Sequence, residues 1–283
     1  MRLIRAISIV LCLAACPCWG WGPTGHTLIV EHAIQLLPPE MKPFYDANSR
    51  YVVALVMLPD DWRLTHKGLL DSHHYINLDL LDQPPFTKLM ENREALGKKM
   101  DSEEAAKTGL LPWAIRMRYE KLVKAFKGGD MEDAAVQSAL IAHYIGDAHV
   151  PLHDTQYRKG KTPEQNGVHF GWENVLVDMF LKPESIKPQS AEKVDDVLKS
   201  TLNWCIASYN QVDALLKADD KARELDPVRG YRYHRSLFDQ TGPMMIGQIS
   251  HAAQATAGVW IAAWEQAGKP KLEEKPAPLY WGR

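Results

Sequence analysis

The sequence predicts an all-α fold, organised as a single compact helical domain over residues 21–283. Apolar residues recur at helical spacing in long stretches, and alternating strand patterns are rare and short. Cys205 is the only cysteine after the first twenty residues, so disulfide bonds cannot define the fold. About 263 residues remain without those twenty, enough for one domain with a large core.

Residues 1–20 are predicted to be a signal peptide. Arg2 and Arg5 precede the apolar run AISIVLCLAA, which has the length of a secretory signal and is too short to cross a bilayer. Two processing positions fit the sequence. The small residues of CWG favour cleavage after Gly20, which makes Trp21 the new N-terminus, whereas LAAC resembles a bacterial lipoprotein signal with Cys16 as the lipid attachment site. The mature chain is expected to be secreted or periplasmic.

Helical stretches follow one another along the rest of the chain. In order they are TLIVEHAIQLL, EEAAKTGLLPWAIRMRYEKLVKAF, MEDAAVQSALIAHYIGDA, VDDVLKSTLNWCIASYNQVDALL and MMIGQISHAAQATAGVWIAAWEQA. Pro, Gly and charged residues cluster in the breaks, which are LPPE, DQPPF, KGGD, RKGKTPEQNG and LKPESIKPQS. None of these breaks has the length of a flexible interdomain linker, so one domain is expected.

The charge balance excludes a broad basic surface. The chain has 33 basic and 35 acidic residues, and without the two leader arginines its net charge is about −4. Proteins that hold duplex nucleic acid by neutralising phosphates need an excess of Lys and Arg on one face. A nucleic-acid substrate would therefore have to be bound locally.

The segment AHYIGDAHVPLHD, residues 142–154, is the most informative part of the sequence. His143 and Asp147 are four residues apart in a helical pattern, so both side chains project from one face of the helix. Pro151 ends that helix and brings His153 round from the following turn. Imidazole nitrogens and carboxylate oxygens in this arrangement are ligands that zinc accepts.

A second pair, His169 and Glu173, repeats the spacing of four residues in NGVHFGWEN. A single His with an acid four residues away is more often a solvated contact on a helix surface. Here, however, the pairs lie among apolar residues such as Val150 and Trp172, where polar groups without partners are costly. Shared metal coordination would remove that cost.

Further residues of the same types lie upstream. LPDDWR supplies Asp60, with Asp61 as a competing ligand, and DSHHYIN supplies His73 and His74. The potential ligands together are His26, Asp60, His74, His143, Asp147, His153, His169 and Glu173. This number exceeds what one zinc ion needs and predicts a cluster of ions.

The order of the motifs resembles a known superfamily, which joins zinc-dependent phospholipases C to the single-strand-specific S1/P1 nucleases. The motifs are Trp-x4-His, Asp-x2-Arg, His-Tyr-Ile, His-x3-Asp-x5-His and His-x3-Glu, over residues 21 to about 180. Members have a helical domain with three zinc ions, one of them bound by the amino group and carbonyl of an N-terminal Trp. The resemblance implies the following ligand sets: Asp60, His74, His143 and Asp147 for one zinc; His153, His169 and Glu173 for a second; Trp21 and His26 for the third, with Asp147 as a bridge to the first.

The resemblance also implies roles in catalysis and substrate binding. Asp60 and Asp147 would be catalytic through the metals, which activate a water molecule for attack on the phosphodiester. Arg63 corresponds to the family arginine that contacts the phosphoryl group. Tyr75 corresponds to an aromatic residue that stacks on a base, and Asn77 stands where some members have an acidic residue that helps to read the base.

The motifs favour the nuclease branch, although three features differ from it. The Trp-x4-His spacing and the segments YVVALVMLPDDWR and HYIGDAHVPLHD are nuclease-like. In contrast, Glu173 stands where nucleases usually have Asp, and HFGWENVLVD looks like the corresponding phospholipase segment. The Gly-Gly-Asn stretch of nucleases is replaced by YRKGKTPEQNG.

The expected function is hydrolysis of single-stranded DNA or RNA by a monomer that has no stable protein partner. A zinc-dependent phospholipase C acting on phospholipid head groups is the alternative. A structural metalloprotein without catalytic activity is a second alternative, but nine ligand residues spread over three ions leave coordination positions open, whereas a closed structural zinc takes four protein ligands.

Overall fold

The computed structural model describes residues 21–65, 70–99, 102–274 and 276. The predicted signal peptide and the alternative lipid attachment site, Cys16, lie outside the described residues. Among the helices that are described, none combines the length and the apolar character needed to cross a bilayer.

The described residues form helices and no strand, apart from one isolated antiparallel bridge between Ile76 and Gly109. The all-α class is therefore confirmed. The α-helices are α1 (Pro23–Gln35), α2 (Lys42–Leu55), α3 (Leu58–Thr65), α4 (Leu78–Leu81), α5 (Thr87–Lys99), α6 (Ser102–Thr108), α7 (Leu111–Gly128), α8 (Met131–Asp147), α9 (Val168–Phe170), α10 (Leu176–Phe180), α11 (Val197–Tyr209), α12 (Val212–Leu225) and α13 (Tyr231–Gln266). A π-helical segment, Gly171–Val175, joins α9 to α10, and 3-10 turns lie at Asp71–His74, Pro151–His153, Pro163–Gln165 and Pro183–Ser185.

Two of the predicted helical stretches are interrupted. The stretch that begins EEAAKTGLLPW divides into α6 and α7 at Gly109, which has a φ of +82°. A Cβ at this glycine would lie 2.0 Å from the carbonyl oxygen of Tyr75, so both the backbone conformation and the close approach require glycine. The stretch containing Cys205 divides into α11 and α12 at residues 210–211. In contrast, α13 is longer than its predicted stretch and continues through Pro243.

Helix α8 is the central element of the core. It packs against α1, α2, α7 and α13, and its residues are buried on nearly every side from Ala134 to Asp147. Asp130 caps its first turn by accepting a hydrogen bond from the backbone N–H of Asp133, at 3.0 Å. Because a helix surrounded by other helices has no solvent face, polar side chains near its C-terminal end must find partners inside the protein.

Candidate metal centre

The C-terminal end of α8 places His143 and Asp147 beside side chains from three other elements. His26 comes from α1, Asp60 from α3 and His74 from the 3-10 turn Asp71–His74. All five residues are at most 2% exposed. His143 belongs to two groups whose ligand atoms lie within 4.8 Å of one another, one with His26 and Asp147 and the other with Asp60 and His74.

Asp147 occupies the centre of this arrangement, and its two carboxylate oxygens face different partners. Oδ2 lies 2.9 Å from Nδ1 of His74 and 3.4 Å from Nε2 of His143. Oδ1 lies 3.7 Å from Nε2 of His26 and 3.9 Å from Nδ1 of His153. A carboxylate with this placement can bridge two metal ions.

A third group consists of His153, His169 and Glu173. Oε2 of Glu173 lies 2.9 Å from Nε2 of His169 and 3.5 Å from Nε2 of His153. His169 is in α9, but Glu173 is in the π-helical segment Gly171–Val175. Such π turns inside α-helices occur frequently at functional sites. Nδ1 of His153 donates a short hydrogen bond to the carbonyl of His74, which leaves Nε2 to face the glutamate.

The hydrogen-bonding pattern fits metal coordination. Several buried nitrogen and oxygen atoms in the three groups have no hydrogen-bond partner: both ring nitrogens of His26, Oδ2 of Asp60, Oδ1 of Asp147, Nε2 of His153, both ring nitrogens of His169 and Oε2 of Glu173. Buried polar atoms without partners are uncommon in folded proteins and cost free energy. Nitrogen and oxygen donors of this kind suit zinc, so the residues present fit the metal that the motifs imply.

Burial and neighbouring charges also shift the titration of these groups. Burial lowers the pKa of His26 well below its ordinary value, which favours the neutral imidazole that coordinates metals. Burial raises the pKa of Glu173 to about 8, and a divalent cation next to this carboxylate would stabilise its ionised form. Burial also opposes ionisation of Asp147, but His143 and His153 hold the pKa of this carboxyl well below its usual range.

Trp21 lies one turn before His26 and is fully buried. Its ring packs against Trp172 with 4.8 Å between the ring centroids and an angle of 40° between the ring planes. Its carbonyl oxygen accepts a hydrogen bond from the backbone N–H of His26, at 3.2 Å. These contacts place the tryptophan backbone next to a candidate ligand, while coordination through its amino group stays a prediction.

Asp60 and Asp61 differ clearly in their surroundings. Asp60 is 2% exposed and belongs to the cluster, whereas Asp61 is exposed. Arg63 donates a hydrogen bond to Oδ1 of Asp60 at 3.2 Å and a second, from Nε, to Oδ1 of Asp71 at 2.8 Å. Burial opposes the charge of Arg63, but Asp71 and Asp60 raise its pKa, so the guanidinium remains charged beside the cluster.

The structure adds Asp71 to the residues that the sequence motifs identify. Asp71 comes eight residues after Arg63, and a spacing of this size does not by itself indicate a contact. Its presence in the same segment as the candidate ligand His74 is the signal that could have drawn attention to it.

Tyr75 and Asn77, the predicted substrate-binding residues, are both hydrogen-bonded to the last turn of α6. The Tyr75 hydroxyl donates to the carbonyl of Ala106 at 2.6 Å, and Nδ2 of Asn77 donates to the carbonyl of Lys107 at 2.6 Å. Their exposed fractions are 4% and 3%. The guanidinium of Arg158 lies over the Tyr75 ring, with Cζ 3.6 Å from its centroid. The motifs do not identify this arginine, although the basic run RKGK marks its loop.

The family comparison agrees with the geometry. The family model of the S1/P1 nuclease matches residues 21–179, which include every candidate ligand together with Arg63 and Tyr75. No match was found among curated proteins. The match covers more than half of the 283 residues. The chain therefore belongs to the S1/P1 nuclease family, whose members are phosphodiester hydrolases of the nuclease class.

Proposed function

We propose that the chain is a secreted, zinc-dependent nuclease that hydrolyses phosphodiester bonds in single-stranded DNA and RNA. The observation that supports this function most strongly is the placement of Asp147, whose two oxygens face different groups of candidate ligands. Together with family membership, this placement supports a cluster of metal ions around one bridging carboxylate.

The proposed centre would hold three zinc ions. The ligand sets are Asp60, His74, His143 and Asp147; His153, His169 and Glu173; and Trp21 with His26 and the bridging Asp147. When bound, the ions would activate a water molecule and neutralise the charge on the phosphate oxygens. Asp147 is the proposed bridge between two ions, and Asp60 belongs to the first ligand set with it. We therefore assign catalytic roles to both residues.

Arg63 is proposed to bind the phosphoryl group. Its guanidinium is fixed by two carboxylates, since Nε and Nη2 lie 2.8 Å and 2.7 Å from Oδ1 of Asp71 and Nη1 lies 3.2 Å from Asp60. A planar guanidinium offers paired donors to phosphate oxygens. Fixing it in advance reduces the entropy that substrate binding would otherwise cost.

The substrate is proposed to be a single strand that is bound locally by a monomer. The chain has a small negative net charge, whereas binding along duplex DNA requires many Lys and Arg residues that neutralise phosphates. Contacts to single strands rely on stacking with aromatic or guanidinium planes, which tolerate any base. Tyr75 and Asn77 lie immediately after the candidate ligand His74, and we propose that this side of the centre receives the base.

A phospholipase C is the second candidate function. Glu173 is the observation in its favour, because nucleases usually have Asp at this position and the segment HFGWENVLVD is phospholipase-like. This candidate has the same metal centre and differs only in the group attached to the phosphate.

A substrate panel tests the proposal. Purified, processed and zinc-loaded protein would be assayed against single-stranded DNA, RNA, duplex DNA, phosphatidylcholine and a nitrophenyl phosphodiester. We expect turnover of RNA and denatured DNA to exceed that of duplex DNA and of lipid. Faster turnover of lipid would favour the phospholipase, and a metal-loaded sample that cleaves none of them would favour a structural metalloprotein.

Export and processing are also proposals. Cleavage after Gly20 would make Trp21 the N-terminal residue and free its amino group for coordination. Mass spectrometry of the mature protein would find residue 21 first if this is correct. A mature chain that begins with a lipid-modified Cys16 would exclude the amino-terminal ligand.

A further inference from the structure

We infer that Arg158 contacts the substrate, with its guanidinium plane stacked between Tyr75 and a nucleobase; this inference rests on the proposed nuclease function. The guanidinium covers the Tyr75 ring at 3.6 Å. Because Tyr75 is 4% exposed, its ring presents almost no free face to a ligand. A base that approaches this side of the centre therefore meets the guanidinium of Arg158 first.

The Tyr75 ring is fixed and cannot turn to make room for a base. Its hydroxyl donates to the carbonyl of Ala106 at 2.6 Å, and its own carbonyl accepts from the backbone N–H of Leu111 at 3.1 Å. Gly109 packs so closely that a Cβ there would lie 2.6 Å from Cδ2 of the ring. Either Arg158 leaves the ring when substrate binds, or the base stacks on Arg158.

The loop that carries Arg158 is anchored on both sides of it and joins two of the candidate ligands. Before it, the Thr155 hydroxyl donates to Oδ2 of Asp79 at 2.7 Å. After it, the Lys161 ammonium donates to Oδ1 of Asp213 in α12 at 2.6 Å. The held loop and the contact with the Tyr75 ring place the guanidinium before a ligand binds, so stacking on a base costs less conformational entropy.

Apart from its contact with the Tyr75 ring, the guanidinium of Arg158 has no charged partner among the described residues. The side chain is half-buried, and no ion pair or hydrogen bond joins it to another residue of the described segments. Guanidinium planes stack on unpaired bases, and the positive charge favours the approach of an anionic strand. A lysine at this position would keep the charge but lack the planar surface, which offers a direct way to separate the two contributions.

Calorimetry with AMP and with inorganic phosphate tests the inference on the metal-loaded protein. In Arg158→Gln we expect the Kd for AMP to rise about tenfold, as for the loss of one stacking contact, while the Kd for phosphate is unchanged. Arg158→Lys should be as weak as Arg158→Gln for AMP. Lys159→Gln is the matched control, because it removes the same charge from the next, exposed residue, and both Kd values should stay unchanged.

Four results would overturn the inference. Restoration of AMP binding by Arg158→Lys would mean that charge alone matters. If Arg158→Gln weakens phosphate binding as much as AMP binding, Arg158 contacts the phosphate and not the base. If Arg158→Gln binds AMP more tightly than the wild type, the arginine blocks access of the base to Tyr75. Wild-type protein that binds AMP no better than phosphate would exclude a base site and leave the nuclease proposal standing. Failure to cleave any nucleic acid, in contrast, is a failure of the proposed function itself.

Discussion

At the scale of single residues, Asp147 is the side chain on which the proposed centre depends most. Oδ2 lies 2.9 Å from Nδ1 of His74, and Oδ1 lies 3.7 Å from Nε2 of His26. These two histidines belong to different groups of candidate ligands. Glu173 serves only the third group. Substitution of the two carboxylates should therefore have unequal consequences.

Asp147→Asn is expected to release metal from two groups, and Glu173→Gln from one. The activity loss in Asp147→Asn should exceed the roughly 10–100-fold that outer partners of metal ligands contribute, and it should exceed the loss in Glu173→Gln. Elemental analysis of both purified variants, alongside a nuclease assay, measures this difference. Equal metal loss in the two variants would contradict the bridging role.

Asp71 is proposed to position Arg63 without touching the substrate. Asp71→Asn should lower kcat/KM by about tenfold, comparable to the loss of an outer partner of a metal site, since the guanidinium would lose its fixed orientation. Metal content and Tm should stay unchanged, and Asp71→Glu should recover part of the activity.

The matched control for Asp71 is Asp46→Asn. Asp46 also pairs with a basic side chain, Lys42 at 2.7 Å, but on the exposed face of α2. This variant should keep full activity. A metal loss in Asp71→Asn similar to its activity loss would mean that Asp71 acts on the metal centre rather than on Arg63.

At the scale of helices, the centre depends on how closely α1 approaches α8. Gly146 is the contact point: a Cβ there would lie 2.7 Å from Cε1 and Nδ1 of the His26 ring. Any side chain at this position would displace that imidazole or separate the two helices.

Gly146→Ala is therefore expected to reduce metal binding at the His26 group and to lower the free energy of unfolding by about 1–3 kcal/mol, the usual cost of overpacking. Zinc titration followed by urea unfolding measures both effects. Gly247→Ala in α13 is the control, because a Cβ at Gly247 would meet no atom within 4 Å, and it should stabilise the helix by up to about 1 kcal/mol. A neutral Gly146→Ala would contradict the close packing of His26.

The sequence predicts some elements well, for physical reasons that differ from element to element. It predicts α8 because helical periodicity combines there with Pro151 shortly after its end, whereas the Asp130 cap is seen only in the structure. It does not predict the division of α6 from α7, because the conformation of Gly109 depends on Tyr75, which is distant in sequence. Nor does it predict the π turn that contains Glu173, since a spacing of four residues has the same form in an α-helix and beside a π turn.

The candidate site shows the same contrast. The pairs His143–Asp147 and His169–Glu173 can be proposed from the sequence because a spacing of one turn indicates a shared face. The other ligands follow from residue type and from the order of the motifs. Asp71 and Arg158 cannot be proposed from the sequence, because each acts through a side chain in another segment, Arg63 and Tyr75 respectively. Contacts between loops depend on packing that no local spacing records.

At the scale of the whole molecule, the centre joins segments that are far apart in sequence, from α1 to the π-helical segment. Many of its polar atoms are buried without hydrogen-bond partners. An ion that binds this set in the folded state and not in the unfolded chain would stabilise the entire fold.

Removal of metal should therefore destabilise the protein globally. Dialysis against EDTA is expected to lower Tm by about 5–10 °C, and added zinc should restore it. Zinc-saturated EDTA is the control and should leave Tm unchanged. A Tm that does not respond to either chelation or zinc would mean that the cluster contributes no metal-linked stability.

The measurement that tests the central claim most directly is elemental analysis of the purified, correctly processed protein, combined with a phosphodiesterase assay before and after metal removal. We predict about three zinc ions per chain, loss of activity when they are removed, and recovery when zinc is returned. A pure, fully folded sample that contains no transition metal and gains no activity on adding zinc would contradict the account.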